Sequence, residues 1–290
     1  MAVIEKAYAK INLTLSVVGK RPDGYHELRT IFQSLRLADT LHFSERQDGC
    51  ISVACNDPTV PTDQQNLVWQ AASLLRTHYQ IKKGVHIDLE KHIPVAAGLA
   101  GGSSNAAATL RGLVRLWGLP SEHLLSMAAR LGADVPFCLA GGTMLGTGRG
   151  EKLIPLTPCP LFYVVLANPG FPVSTAAVFG AYRLDADDSV PDTEGLIQAI
   201  CLEDRCGITS RLANVLESAT FKLYPPVLHL KEQMRQFGPS LMCGSGATVY
   251  TLFNDKKAAE NLCSSLRQLG VAAWLTQTQL GYFTEVERSV

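Results

Sequence analysis

Pro94-Val95-Ala96-Ala97-Gly98-Leu99-Ala100-Gly101-Gly102-Ser103-Ser104-Asn105-Ala106-Ala107-Ala108 is the stretch on which the reading of this chain turns. Before it, Val85, Ile87 and Leu89 alternate with His86, Asp88 and Glu90, the period-two pattern of a half-buried strand. After it, Ala106, Leu110, Leu113, Val114 and Trp117 recur at helical spacing until Gly118-Leu119-Pro120 stops the run. The order is strand, glycine-rich loop, helix.

Glycine lets backbone N–H groups approach an anion, and the first turn of a helix offers unspent donors carrying about half a positive charge. The stretch therefore reads as a phosphate cradle. No G-x-x-x-x-G-K-[ST] occurs, so it is not a P-loop, and G-x-G-x-x-G is missing from it. Close packing of a helix on a sheet would use the same glycines. The hydroxyls of Ser103 and Ser104 favour the phosphate reading, since they can cap the helix or face a phosphate and its metal.

The 290 residues, 47% of them apolar, can bury a large core, and we expect two domains, 1–152 and 153–290, divided where Pro155, Pro158 and Pro160 cluster. Twenty-six basic against 26 acidic residues give no net charge and no basic stripe, which argues against nucleic acid as a partner. Apolar runs such as 161–167 fall well short of a membrane span. Eight scattered cysteines without C-x-x-C or a zinc pattern suit a reducing cytoplasm, and the start of the chain lacks a signal peptide's apolar core.

Ile11, Leu13, Leu15 and Val17 share one side of a strand. Lys10 and Asn12 lie on the other, about 7 Å apart, so both can address one small ligand; a solvated strand face is the plainer alternative. Pro22-Asp23-Gly24 is a turn that brings Tyr25 and His26 to the start of an extended segment, 28–37. Asn66 precedes a helix starting at Leu67, where it is a cap by default, and Lys91 is by default a surface lysine. A helix over 121–131 with Ser121 as its cap leads to Asp134, which Pro136 places in a short extended link. Residues 141–151 read as a glycine-rich hairpin containing G-T-G-R-G-E. A buried strand at 161–167 precedes a helix through Val178, Phe179 and Tyr182, and residues 185–195 read as a mobile acidic loop. Two apolar strands meet at Gly244-Ser245-Gly246, and a helix over 255–269 and a strand over 271–276 follow.

Pro94-x-x-x-Gly98-Leu99-x-Gly101-Gly102-Ser103-Ser104 resembles the phosphate motif of the GHMP kinases. Ala7-Tyr8-Ala9-Lys10-Ile11-Asn12-Leu13 resembles their first motif and 240–250 their third, in the same order along the chain. Arg21-x-Asp23-Gly24-Tyr25-His26 is similar to the branch that phosphorylates CDP-methylerythritol.

The resemblance implies an α+β, two-domain fold, with a ribosomal-protein-S5-like N-terminal domain and a ferredoxin-like C-terminal domain. It implies a kinase using ATP and Mg2+ on a small-molecule substrate, CDP-methylerythritol, and admits a homodimer. Lys10 and Asp134 would be catalytic. Residues 94–104 would hold the phosphates, with Asn66 and Lys91 near the adenosine. Asn12, Tyr25, His26, Thr175 and Phe179 would bind the acceptor, Tyr25 and His26 holding the cytosine with Phe179 opposite Tyr25, although Phe179 also has core spacing with Tyr182. Ser103 or Ser104 is the candidate protein ligand of the metal. The alternatives are a GHMP kinase for mevalonate, homoserine or a sugar, and a non-catalytic nucleotide- or RNA-binding protein.

Overall fold

Alternating side chains make the first strand long: β1 runs Ala2–Lys20 in the computed structural model, which describes residues 2–183 and 190–280. Both of its faces are covered from Ala9 to Val17. Lys10, Asn12, Thr14 and Ser16 are all at most 4% exposed, so the solvated face that alternation allows is not what forms. The chain divides into two compact units, the first made of Met1–Ala9, Leu37–Val95 and Ala100–Ala140. The second comprises Lys10–Arg36, Ala96–Leu99 and Gly141–Val290, so the run from Lys152 to Pro160 lies inside it.

The first unit contains the start of β1, the end of β2 (His26–Arg46), β3 (Ile51–Cys55), α1 (Leu67–His78), β4 (Gly84–Glu90), α2 (Gly101–Trp117), α3 (Leu124–Leu131) and α4 (Val135–Ala140). Strand β4 pairs antiparallel with β2 and parallel with β3. Its Val85, Ile87 and Leu89 are buried, as their alternation requires. Helix α1 buries Val68, Ala71, Ala72 and Leu75 and packs on α2, whose small residues allow close approach. Gly118, with φ 62°, ends α2 where the sequence stops being helical.

Two local expectations fail for definable reasons. Helix α3 begins at Leu124 rather than Ser121, because Ser121 offers its carbonyl, not its hydroxyl, to the Leu124 N–H at 3.1 Å. Asp134 is followed by a helix rather than an extended link: Val135 and Pro136 open α4, and the Cys138 N–H donates to the Asp134 carbonyl at 3.0 Å. Proline's missing N–H costs nothing in a first turn, so it can start a helix there as readily as break one.

The second unit adds β5 (Thr143–Gly148), β6 (Lys152–Pro155), β7 (Tyr163–Asn168), α5 (Thr175–Ala181), α6 (Thr193–Cys201), α7 (Arg205–Ser210), β8 (Ala213–Asn214), α8 (Glu217–Leu223), α9 (Pro225–Arg235), β9 (Ser240–Met242), β10 (Val249–Phe253), α10 (Lys256–Gln268) and β11 (Ala272–Gln277). The glycine-rich hairpin forms as β5–β6, with β5 also pairing β2. Strands β11, β7, β10 and β9 lie in that order, all antiparallel, with helices after β7 and after β10. That is the ferredoxin-like arrangement. Its core joins Val165, Ala167, Val249 and Phe253 of the sheet to Ala219, Met234 and Leu262 of the helices. Residues 185–189 of the expected acidic loop lie outside the described residues. Its far end is helical instead, since Asp192 caps α6 by accepting from the Gly195 N–H at 2.9 Å.

Gly112 shows how tightly β2 and α2 pack. A Cβ there would meet the buried Phe43 ring at 2.5 Å. Gly112→Ala should gain about 1 kcal/mol of helix propensity and lose more, about 1–3 kcal/mol, to overpacking. We therefore expect a lowered urea midpoint; a raised midpoint would mean that Phe43 can move aside.

Candidate active site

The glycine-rich stretch binds its own backbone in an unusual shape. Ala96, Gly98 and Ala100 all take left-handed conformations, with φ of 52°, 77° and 57°. For alanine this costs about 1–2 kcal/mol each, strain of the kind that gathers at binding loops. Ala100 occupies the cap position of α2 and has no side chain that could satisfy the first-turn N–H groups. The end of a 17-residue helix is thus left with donors unspent, and Gly102 is exposed there. Such an end favours an anion.

The two serines part company. The Ser104 hydroxyl donates to the Tyr8 carbonyl at 2.7 Å and is fully buried, whereas Ser103 is half-buried in the first turn. Neither caps the helix, since both lie inside it.

Gly98 lies on the loop between β9 and β10. A Cβ on it would sit 2.3 Å from the Cys243 carbonyl oxygen and 3.0 Å from that of Gly246, so only glycine fits. Gly244 of that loop passes beside Lys10 and Asn12, its would-be Cβ 3.7 Å from the Lys10 Nζ and 3.8 Å from the Asn12 Oδ1. Asn214 fixes the loop by donating to the Met242 and Gly244 carbonyls at 2.9 and 2.7 Å. The Lys10 Nζ donates to Asn12 Oδ1 at 3.0 Å and lies 5.4 Å from the Phe32 ring centre. The Asn12 amide in turn donates to Thr30 at 2.8 Å, so its orientation is settled. Cys243 is not a nucleophile for this site: burial pushes its thiol up to about 12, against a smaller opposing pull from Lys10.

The aromatic side chains Tyr25, His26 and Phe179 all belong to the second unit. The His26 ring stacks on Phe179 at 5.2 Å and 27°, and Tyr25, 57% exposed, has the Arg149 guanidinium over it at 5.1 Å. Phe179 thus stacks directly on His26. Phe179 also packs against the unit's core, so it serves both packing and the rings. Thr175 opens α5 and shares a hydrogen bond with Ser245 at 2.9 Å.

A family model described as the GHMP kinases N terminal domain matches residues 66–142, and one described as GHMP kinases C terminal matches 197–277. The 4-diphosphocytidyl-2-C-methyl-D-erythritol kinase of Bacillus subtilis (strain 168) is 48% identical over 271 residues, 92% of this chain and 93% of that protein. The protein of that name from Geobacillus sp. (strain WCH70) is 45% identical over the same shares. A crystal structure of 4-(cytidine 5'-diphospho)-2C-methyl-D-erythritol kinase superposes with a TM-score of 0.81 at 35% identity, covering 95% of this chain and 98% of that one. The chain belongs to the 4-diphosphocytidyl-2-C-methyl-D-erythritol kinase family of GHMP kinases.

In this GHMP kinase Lys91 is no surface lysine. Its side chain is 6% exposed and pairs with Asp39, itself fully buried, and donates to Asn105 at 3.1 Å. The Asp39 carboxylate also accepts from the His92 and Ile93 N–H groups at 2.6 and 2.8 Å and from the Asn105 amide at 2.8 Å. One carboxylate therefore holds both the chain entering the glycine loop and the first turns of the helix leaving it. Asn66 is the cap that its position suggests, accepting from the Val68 N–H at 2.8 Å while its amide donates to Pro61 at 2.6 Å. Asp39, Asn214, Thr30 and Ser245 were not singled out by the sequence reading. A usable signal existed for Asp39 alone: a lone carboxylate inside the apolar strand pattern 31–43.

Among the described residues no three or more His, Cys, Asp or Glu side chains gather to hold a metal. The Ser104 hydroxyl is committed to Tyr8, and Ser103 is the first-turn hydroxyl that remains half-buried. No helix among the described residues is long and apolar enough to cross a membrane.

Asp39→Asn would leave the buried Lys91 ammonium without its counter-charge, a change that costs about 3–5 kcal/mol. We expect a correspondingly lower urea unfolding midpoint. An unchanged midpoint would show that the ion pair does not hold this part of the fold.

Proposed function

We propose that this chain transfers the γ-phosphoryl group of ATP to the C2 hydroxyl of 4-diphosphocytidyl-2-C-methyl-D-erythritol, in the non-mevalonate route to isoprenoid precursors. The observation that carries the substrate is the aromatic group of Tyr25, His26 and Phe179. Flat rings and an imidazole suit a pyrimidine, by stacking on its face and hydrogen bonding to its edge. Mevalonate, homoserine and sugars have no base to use them. The free state of all eight cysteines supports the cytoplasm as the compartment.

Phosphoryl transfer asks a protein for position and charge more than for covalent chemistry. Bound ATP supplies the phosphoryl group. In this reading the unspent N–H groups at the start of α2 and the loop 94–103 grip its phosphates, with the Ser103 hydroxyl beside them. Asn66 and Lys91 contribute on the adenosine side, Lys91 from beneath the loop. Asn12 and Thr175 hold the acceptor, and Lys10 offsets the negative charge that builds up in the transition state.

Asp134 receives the acceptor's proton. Removing it completely before attack would be too costly. Between an ordinary aspartate, pKa about 3.9, and a water-like hydroxyl at about 15.7 lie some 12 units, roughly 16 kcal/mol. Asp134 therefore orients the hydroxyl, and the proton moves during or after attack.

Asp134→Asn should lower kcat by about 10²–10⁴-fold, the span of a lost general base, while the KM values for ATP and acceptor change little. Steady-state assays with CDP-methylerythritol and with mevalonate as acceptors test both claims. Undiminished turnover in the variant removes Asp134 from the reaction, and a preference for mevalonate overturns the substrate assignment.

A further inference from the structure

The motif Gly146-Thr147-Gly148-Arg149-Gly150-Glu151 is not used by the reaction described above, yet the fold places it beside the proposed base site. Strands β2 and β5 pair with Leu28 opposite Gly148, so the turn after β5 falls three residues from Tyr25. The turn is held by acidic side chains. The Gly148 N–H donates to Glu27 at 3.0 Å, the Arg149 N–H to Glu151 at 2.6 Å, and the Gly150 N–H to the Thr147 carbonyl at 3.1 Å. Gly148 has φ 73°, and a Cβ on it would lie 2.9 Å from the Glu151 carboxylate, so a side chain there would push that carboxylate away.

What this scaffold positions is the Arg149 guanidinium, over the Tyr25 ring at 5.1 Å. The other guanidinium at this rim, Arg21, is occupied by Glu27 at 2.7 Å and Asp23 at 3.1 Å. Arg149 makes a long contact with Glu151, 3.9 Å, lies near enough to Asp23 to help hold its carboxyl below the usual range, and a third of its side chain is exposed. An arginine with so loose a partner, stacked on an exposed tyrosine, combines two recognition elements: it stiffens the ring against which a base stacks, and it offers a planar fork of donors to phosphate oxygens.

We infer that Arg149 is a specificity residue that recognises the phosphate chain attached to the base, so that this site takes a nucleoside diphosphate ester rather than a bare nucleoside. The inference rests on the proposed acceptor. It assigns a function to the G-T-G-R-G-E turn that close hairpin packing alone would not need, because packing requires the glycines but not the arginine.

The test uses Arg149→Gln and Arg149→Lys in the full chain, with acceptor and ATP kinetics and with cytidine, CMP and CDP as competitive inhibitors. In the unaltered protein CDP should inhibit more strongly than CMP, and CMP more strongly than cytidine. In Arg149→Gln the KM for the acceptor should rise about tenfold, with the KM for ATP steady and kcat falling far less. The advantage of CDP over cytidine should shrink by a similar factor, and Arg149→Lys should recover part of it. A merely structural arginine would weaken all three inhibitors alike. If the unaltered protein phosphorylates the acceptor and Arg149→Gln keeps both its KM and its CDP-to-cytidine ratio, the inference about Arg149 is wrong. If the unaltered protein does not phosphorylate it, the proposed function itself has failed.

Discussion

A single carboxylate with no exposure holds the glycine loop at both of its ends. Asp39 takes four donors, two from the backbone that enters the loop and two from Lys91 and the helix that leaves it. Charge buried to this extent is costly unless fully matched, so the arrangement is tolerated only with every partner in place. The constraint it imposes is on angle and spacing: β4 must end, and α2 must begin, at one fixed separation. The alanines at 96 and 100 take left-handed conformations along the loop. With alanine at the cap position the helix has no side-chain cap, and an uncapped helix end suits an anion.

In the second unit the same economy of space acts through the absence of side chains. Gly98 and Gly244 bring two loops and the Lys10–Asn12 pair within contact distance of one another. Thr30 and Asn12 pass hydrogen bonds back to the Thr14 carbonyl, and Tyr250 donates to the Asn12 carbonyl at 2.9 Å. Lys10 is thus set by a chain of partners buried in the sheet and does not depend on solvent to settle its position. Such networks are stable only when complete, which makes each member sensitive to substitution.

Much of this was legible in the residue order. Period-two runs located β1 and β4, continuous apolar runs located β7 and β10, helical spacing located α1 and α2, and Gly118 marked the end of α2. The reading erred where a short polar residue or a proline has more than one use. Ser121 gives its carbonyl where a hydroxyl cap was expected, and Pro136 starts a helix where it was expected to keep the chain extended. The acidic run after Tyr182 ends in a capped helix for the same reason, since Asp192 is as good a cap as it is a loop residue. Local chemistry permits both outcomes in each case, and packing chooses.

The residue order by itself determined most of the elements and the glycine-rich turn between β4 and α2, while the candidate side chains of the site came from motifs that resemble a family. It did so because periodicity, glycine placement and motif spacing are properties of neighbouring residues. Tertiary structure alone decided which donors are spent and which remain. It turned Ser104 inward to Tyr8, buried Lys91 on Asp39, stacked Phe179 on His26 and set Arg149 over Tyr25. Each of those depends on partners 52 to 153 positions away in the chain, which come together only when strands pair and helices pack, and no local pattern encodes that meeting.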